Sequence, residues 1–197
     1  ILAGKDPSVL TLILAGVAIS ALSGALTTLA LNLSPNPYAA FEIFFWLMGS
    51  LADRSLDHVA LALPLIIMGI VILMTTGPGL DALTLGEDVA QTLGIGLLGL
   101  QARVIIGTAL TVGASVSVAG VIGFVGLVVP HLLRPAVGQI PARLLIVSAP
   151  GGAALTLAAD TAVRFLTNGP ELHLGVLTAL IGAPFFLALV LKIRREG

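Results

Sequence analysis

The chain has 197 residues, 57% of them hydrophobic and 10% charged, where a soluble domain carries about 25% charged residues, and its mean hydropathy is +1.12. With 9 basic and 10 acidic residues the formal net charge is −1. These values exclude an ordinary soluble domain, a disordered segment and a nucleic-acid binder, whose phosphate contacts need a basic face.

No cysteine is present, so disulfides and thiolate metal sites are excluded, and the 23 glycines belong to the palette of closely packed transmembrane helices. The chain starts without Met and enters an apolar run almost at once, with no signal-peptide n-region before it. It therefore reads as a fragment of a longer membrane protein.

From Ser8 to Leu33 no residue is charged. These 26 positions make ~39 Å of helix, enough to cross a hydrocarbon core of about 30 Å with tilt. Ser34-Pro35-Asn36-Pro37 ends the run. Residues 41–51 are too few to span and hold the only Trp, Trp46, so they read as a short helix at the membrane interface. A polar loop, 53–58, leads to a second span over 59–76, which Gly77-Pro78-Gly79 is expected to stop.

Residues 81–96 read as a short amphipathic helix outside the membrane. Thr84 as N-cap with Glu87 three positions on fits a capping box, and Leu85, Val89 and Leu93 recur at i, i+4, i+8. Residues 104–133 make ~45 Å of helix, too long for one ordinary crossing. Gly120-Val121-Ile122-Gly123 offers a break, giving segments at about 100–119 and 124–136, with a single kinked helix as the rival. Spans at 144–166 and 172–191 follow, separated by a turn at Asn168-Gly169-Pro170. The fold class is thus all-α, a polytopic transmembrane bundle of about six spans plus an external helix and a cytoplasmic helix, expected as one domain over 1–197.

Basic residues orient this topology. If the first span starts inside, Lys5, Arg103, Arg134, Arg143, Lys192, Arg194 and Arg195 are inside, and only Arg54 and Arg164 are outside. That bias needs an even number of crossings, which supports dividing 104–133 in two.

Chemistry-bearing patterns are few. Neither lysine lies in a phosphate-binding G-x-x-x-x-G-K-[ST], no HExxH or G-x-S-x-G occurs, and His58, His131 and His173 are far apart. Asp160 and Arg164 stand at i, i+4, which reads either as an intrahelical ion pair or as a site facing a partner. Gly16, Ser20 and Gly24 in the first span, and Gly175, Ala179 and Gly182 in the last, form lines of small residues. Such lines serve close packing, a smooth pathway wall, or both. His131 reads as a structural group at the cytoplasmic end, with a proton relay as the alternative.

The stretch GFVGLVVPHLLR, 123–134, resembles the FecCD family, the permease subunits of bacterial ABC importers for iron-siderophores, haem and cobalamin. Further matches follow in the family's order: LAGVAISALSGAL (14–26), FWLMGSL (45–51), LTLGEDVAQTLGI (83–95), ADTAVR (159–164) and ELHLGVLTALIGAPFF (171–186). Family permeases have ten transmembrane helices, and the chain matches the last six. The resemblance implies that Thr84, Leu85, Gly86, Glu87, Val89 and Leu93 form a coupling helix that docks in a separate ATPase subunit. That subunit would bind ATP and Mg, leaving this chain without cofactor, metal or catalytic residues. It further implies that Arg164, with Asp160 and Arg54, receives a periplasmic or lipid-anchored substrate-binding protein. Gly16, Ser20, Gly24, Gly175, Ala179 and Gly182 would line the pathway or the face toward a paired permease, the same chain or a second one. The bacterial inner membrane is the implied location. Two departures stand out: His173 where the family more often has Pro, and Gly77-Pro78-Gly79 in place of a commonly basic stretch. A secondary transporter driven by an ion gradient is the competing reading, and it needs ionisable residues at mid-membrane. An intramembrane enzyme would need a paired Asp, Ser/His or metal set.

Overall fold

A computed structural model describes residues 9–34, 36–166 and 173–196. Lys5 and the Asn168-Gly169-Pro170 turn lie outside the described residues. The described residues form helices and connections with no strand, and they fall into two compact units, 1–45 and 46–197.

The first unit holds α1 (Val9–Leu33) and most of α2 (Pro37–Leu47). No charge interrupts α1, and its polar side chains turn back on their own helix: Thr27 Oγ1 donates to the Ser23 carbonyl at 2.9 Å, Thr28 Oγ1 to Gly24 at 3.0 Å, and Asn32 Nδ2 to Thr28 at 2.9 Å. Self-satisfaction of this kind lets polar residues sit in a span, because hydrocarbon supplies no partner. The Ser34–Pro37 segment does more than end α1. The Tyr38 N–H donates to Asn36 Oδ1 at 3.0 Å, so Asn36 caps α2, and Pro37 takes the first helical position, where its missing N–H is not needed. The short helix thus begins four residues earlier than the aromatic run suggests.

The second unit contains α3 (Leu56–Met74), α4 (Gly77–Leu83), α5 (Glu87–Thr92), α6 (Leu97–Ala119), α7 (Val125–Val137), α8 (Pro141–Leu166) and α9 (Leu174–Glu196). Its central contact joins α3 to α6. The buried residues are Ala62, Gly69 and Thr76 along the α3 side and Leu100, Gly107 and Ala114 along α6. Both sets repeat every seven positions, the period at which two helices keep one seam facing each other. At the middle of the seam a Cβ on Gly69 would lie 2.7 Å from the Gly107 carbonyl oxygen, and one on Gly107 3.0 Å from that of Gly69. Only glycine permits backbones this close.

Hydrogen bonds define the two ends of this unit. At one, Arg103 Nη1 of α6 donates to the Thr75 carbonyl at 3.4 Å and the Ala142 N–H of α8 donates to Asp81 Oδ1 of α4 at 2.8 Å. At the other, the Ser50 N–H donates to the Ala119 carbonyl at 2.8 Å and the Gly175 N–H to the Gly49 carbonyl at 3.2 Å.

The structure divides residues 104–133 into α6 and α7, as length and charge require, and the single kinked helix is overturned. The break carries Gly120 at φ 73° and Phe124 at φ 65°. The 13 residues of α7 extend only ~20 Å, and residues 120–123 before it are irregular backbone. Part of the bonding here is local: the Gly120 N–H donates to the Val116 carbonyl, the Gly123 carbonyl accepts the Val125 N–H, and the Phe124 carbonyl accepts from Leu127 and Val128. Among the described residues four helical segments are long and apolar enough to cross a membrane: Ile13–Leu33, Leu56–Met74, Leu97–Ala119 and Pro141–Phe165. The backbone of α9 adds a further 23-residue helix.

Two local expectations are corrected. The span ends at Met74, just before Gly77-Pro78-Gly79, but that stretch is not a bare stop: it opens α4, with Pro78 in the first turn. Thr84 is the C-cap of α4 and not the N-cap of a capping box: its Oγ1 donates back to the Asp81 carbonyl at 2.7 Å. The next helix starts at Glu87 from Gly86, whose φ of 104° suits glycine alone.

The junction at the Ser50 end predicts a sharp stability contrast. A Cβ on Gly120 would strike the Trp46 carbonyl at a left-handed φ, so Gly120→Ala is expected to cost about 2–3 kcal/mol. Gly152→Ala, whose nearest neighbour would be Val125 Cγ1 at 3.8 Å, is expected to stay within about 0.5 kcal/mol. Thermal unfolding of the two variants in detergent measures the difference, and equal melting temperatures would remove the junction's structural role.

Candidate functional site

Three groups of residues picked out in the sequence occupy three different places. The first is α5 and the turn before it. Ala90 is fully buried and anchors α5 to the rest of the unit, while Leu85, Val89 and Leu93 are 65%, 42% and 62% exposed. Glu87 and Asp88 occupy the first turn, where the helix dipole favours negative charge. Leu85 lies in the turn and Leu93 is the C-cap, so the apolar set reaches past both ends of the helix. Exposed apolar side chains on an anchored support form a surface suited to burial against a partner.

The second group lies at the opposite end. Arg164 Nε donates to Asp160 Oδ2 at 2.8 Å, the intrahelical pair that the spacing allows. The Arg164 side chain is 61% exposed and Asp160 only 17%, so an exposed pair of this kind adds about 0.3–0.5 kcal/mol of stability at most. Arg54 stands on a separate element of the same end, in the loop after Asp53 (φ 56°), with Nε 3.5 Å from the Ser50 carbonyl.

The third group is the lines of small residues. Gly16, Ser20 and Gly24 follow one another at turn spacing along α1 in the first unit. The α9 line is different. Gly175 lies against the Met48 and Val121 carbonyls and Gly182 against the Phe124 ring, while Ala179 between them is half-buried. The smallness of Gly175 and Gly182 is therefore used for packing within this chain. His131 likewise packs, edge-to-face on Phe185 of α9 with ring centroids 5.6 Å apart.

One feature escaped sequence reasoning. A pocket of about 390 Å3 opens beside α6, the 120–124 break and α8, with Leu51, Thr111, Ser115, Ile122 and Thr156 in its lining. Its signal was the run of hydroxyls at Thr108, Thr111, Ser115 and Ser117 in the otherwise apolar second half of α6. Among the described residues no group of three His, Cys, Asp or Glu could hold a metal ion.

Apolar helices passing repeatedly between two ends, with charge kept at those ends, define a multi-pass helical membrane protein. The chain belongs to the FecCD transport family, whose model matches residues 1–192. It is 44% identical over 184 residues to the vitamin B12 import system permease BtuC of Vibrio cholerae, covering 92% of this chain and 54% of that protein. It is 38% identical over 185 residues to the hemin transport permease HmuU of Yersinia pestis, covering 94% and 55%, and 39% identical over 186 residues to the Fe(3+) dicitrate transport permease FecC of Escherichia coli, covering 94% and 54%. A solved structure described as an inward-facing metal-chelate type ABC transporter superposes with a TM-score of 0.85 at 36% identity, covering 94% of this chain and 61% of that one. The chain thus spans about half the length of the curated relatives it matches.

The two ends are expected on opposite sides of the membrane. Cysteines introduced at Asp88 and Gln139 should react with an impermeant maleimide from one side, and one at Ser55 from the other. Labelling of all three from a single side would overturn the arrangement of passes.

Proposed function

We propose that the chain forms part of the permease of an ATP-driven importer in the bacterial inner membrane, moving a metal chelate such as an iron-siderophore, haem or cobalamin. The observation that carries this reading is the exposed apolar set Leu85, Val89 and Leu93 on a helix anchored through buried Ala90. With Thr84, Gly86 and Glu87 it makes the coupling surface for an ATPase subunit, which binds ATP and Mg. Basic residues support the orientation: Arg103, Arg134 and Arg143 lie at the α5 end, which is then cytoplasmic. A second permease pairs with this one, the line Gly16, Ser20 and Gly24 contributing to the pathway or to the paired face. A periplasmic or lipid-anchored binding protein delivers the cargo at the Arg164 end. Transport follows alternating access, in which ATP-driven closure of the ATPases displaces the coupling helices.

The distribution of charge favours this over an ion-gradient mechanism. In α3, α6, α7 and α8 every charged residue lies within two turns of a helix end, and α1 has none. Ion coupling requires ionisable groups deeper in the membrane.

The test is reconstitution of the permease with its ATPase in proteoliposomes. Val89→Asp places a carboxylate in the apolar contact, at a desolvation cost of several kcal/mol. It is expected to weaken ATPase association by about 100-fold and to abolish transport while membrane insertion persists. Normal transport by this variant would remove α5 from the coupling role.

Arg164 tests the other end. A guanidinium keeps its charge at all relevant pH and grips a carboxylate through two parallel hydrogen bonds. Arg164→Glu should weaken binding-protein docking by about ten-fold or more without disturbing ATPase assembly, and Arg164→Lys should be milder. Surface plasmon resonance reads the affinity, and a basic residue replacing the facing carboxylate on the binding protein should restore it. Unchanged docking would confine Arg164 to its pair with Asp160.

A further inference from the structure

The α4 segment is held on three sides. Thr76, at its start, is fully buried. A Cβ on Gly77 would stand 3.1 Å from Ala142 Cβ of α8, and one on Gly79 2.8 Å from Leu100 Cδ1 of α6. Leu100 is itself 2% exposed. These seven residues form a short piece seated between two long helices.

Asp81 joins this piece to both of its neighbours. Its side chain accepts the Ala142 N–H at 2.8 Å, across 61 residues of sequence. Its backbone carbonyl accepts the Thr84 N–H at 3.1 Å and Thr84 Oγ1 at 2.7 Å, closing the turn that leads to α5. The bond to Ala142 fills a specific need. The first N–H groups of a helix have no intrahelical acceptor. In α8 the residue preceding the helix is Ile140, which has no side-chain acceptor, and Pro141 brings no N–H. Ala142 therefore carries the first orphan donor, and a carboxylate from α4 takes the place of a local cap, favoured by the helix dipole. The far end of the same 26-residue helix, ~39 Å away along its axis, bears Asp160 and Arg164.

We propose that Asp81 is a positioning residue that ties α4–α5 to α8, so that displacement of α5 is carried along α8 toward the end bearing Arg164. Without the tie, α5 shifts while α8 stays behind, and ATP is hydrolysed without transport. This rests on the reading of α5 as the ATPase contact.

The experiment uses the assembled permease and ATPase in proteoliposomes and reads cargo transported per ATP hydrolysed. Asp81→Ala is expected to retain the ATPase and its basal hydrolysis but to lower that ratio by about ten-fold. Asp81→Asn, which keeps an acceptor oxygen, should fall between. Amide exchange at Ala142 should quicken by about ten-fold in Asp81→Ala, a readout independent of transport. A tether separates a mechanical tie from any other role. Gly77→Cys with Ala142→Cys brings the Cβ atoms to 3.1 Å, a few tenths of an ångström short of the disulfide range. In the Asp81→Ala background, oxidation of this pair should raise the ratio back toward that of the unsubstituted protein, and reduction should lower it again. An unchanged ratio in Asp81→Ala overturns the proposal, as does a lowered ratio that oxidation of the pair does not raise. If instead the unsubstituted permease fails to bind any ATPase, the assignment of α5 fails, and that result is distinct from either.

Discussion

Backbone pressed against backbone through glycine is the contact on which the second unit depends. Lipid tails are as apolar as the side chains they surround, so the hydrophobic effect does not draw helices together inside a membrane. Dispersion between closely apposed surfaces does, and it weakens steeply with distance. The unit meets this constraint at three levels. Gly69 and Gly107 bring α3 and α6 together at mid-height, Gly77 and Gly79 seat α4 between α8 and α6, and Gly49, Gly120 and Gly175 gather three chain segments at the opposite end. Beside the last group the Ser50 N–H reaches the Ala119 carbonyl and the Gly175 N–H the Gly49 carbonyl, bonds that join these segments next to the irregular 120–124 stretch.

The two ends differ in the chemistry they offer. At the α5 end the exposed surface is apolar and rigidly supported, the kind that gains free energy by losing water. At the opposite end it is a guanidinium 61% exposed, held in place by a carboxylate one turn earlier. Charge contributes more to partner choice and association rate than to raw affinity. A charged surface of this kind suits a brief encounter, and an apolar one such as Leu85, Val89 and Leu93 present suits a lasting contact.

How much of this was legible follows from the range of each signal. The division of 104–133 was readable because three independent facts converge there: a run too long for one crossing, a glycine-rich break and the parity of crossings demanded by the basic residues. The end of α1 at Ser34 was equally plain. The capping box at Thr84 failed because the T-x-x-E pattern is matched by a different geometry, with Asp81 engaging Thr84 and Gly86 taking φ 104°. The seam of Ala62, Gly69 and Thr76 against Leu100, Gly107 and Ala114 was hidden in plain view, since small residues occur throughout the chain and a seven-residue period among them is faint. The bond from Asp81 to Ala142 joins residues 61 apart, and no local pattern reports it. For the lines of small residues, sequence could not separate packing from pathway, because both demand the absence of a side chain. The structure assigns Gly175 and Gly182 to packing by showing what fills the space beside them.

The hydroxyls lining the pocket beside α6 limit what a molecule entering it can bond to. Thr111 Oγ1 donates to the Gly107 carbonyl at 2.9 Å, Ser115 Oγ to Thr111 at 2.7 Å and Thr156 Oγ1 to Gly152 at 2.8 Å. A hydroxyl has one proton to give and two lone pairs, and here each proton is already committed to its own helix. What these groups turn outward is electron density alone. Water can wet such a lining by pointing its own hydrogens at it, and a solute bearing N–H or O–H groups can do the same. A solute whose surface is all acceptor oxygens finds no proton there to hold it.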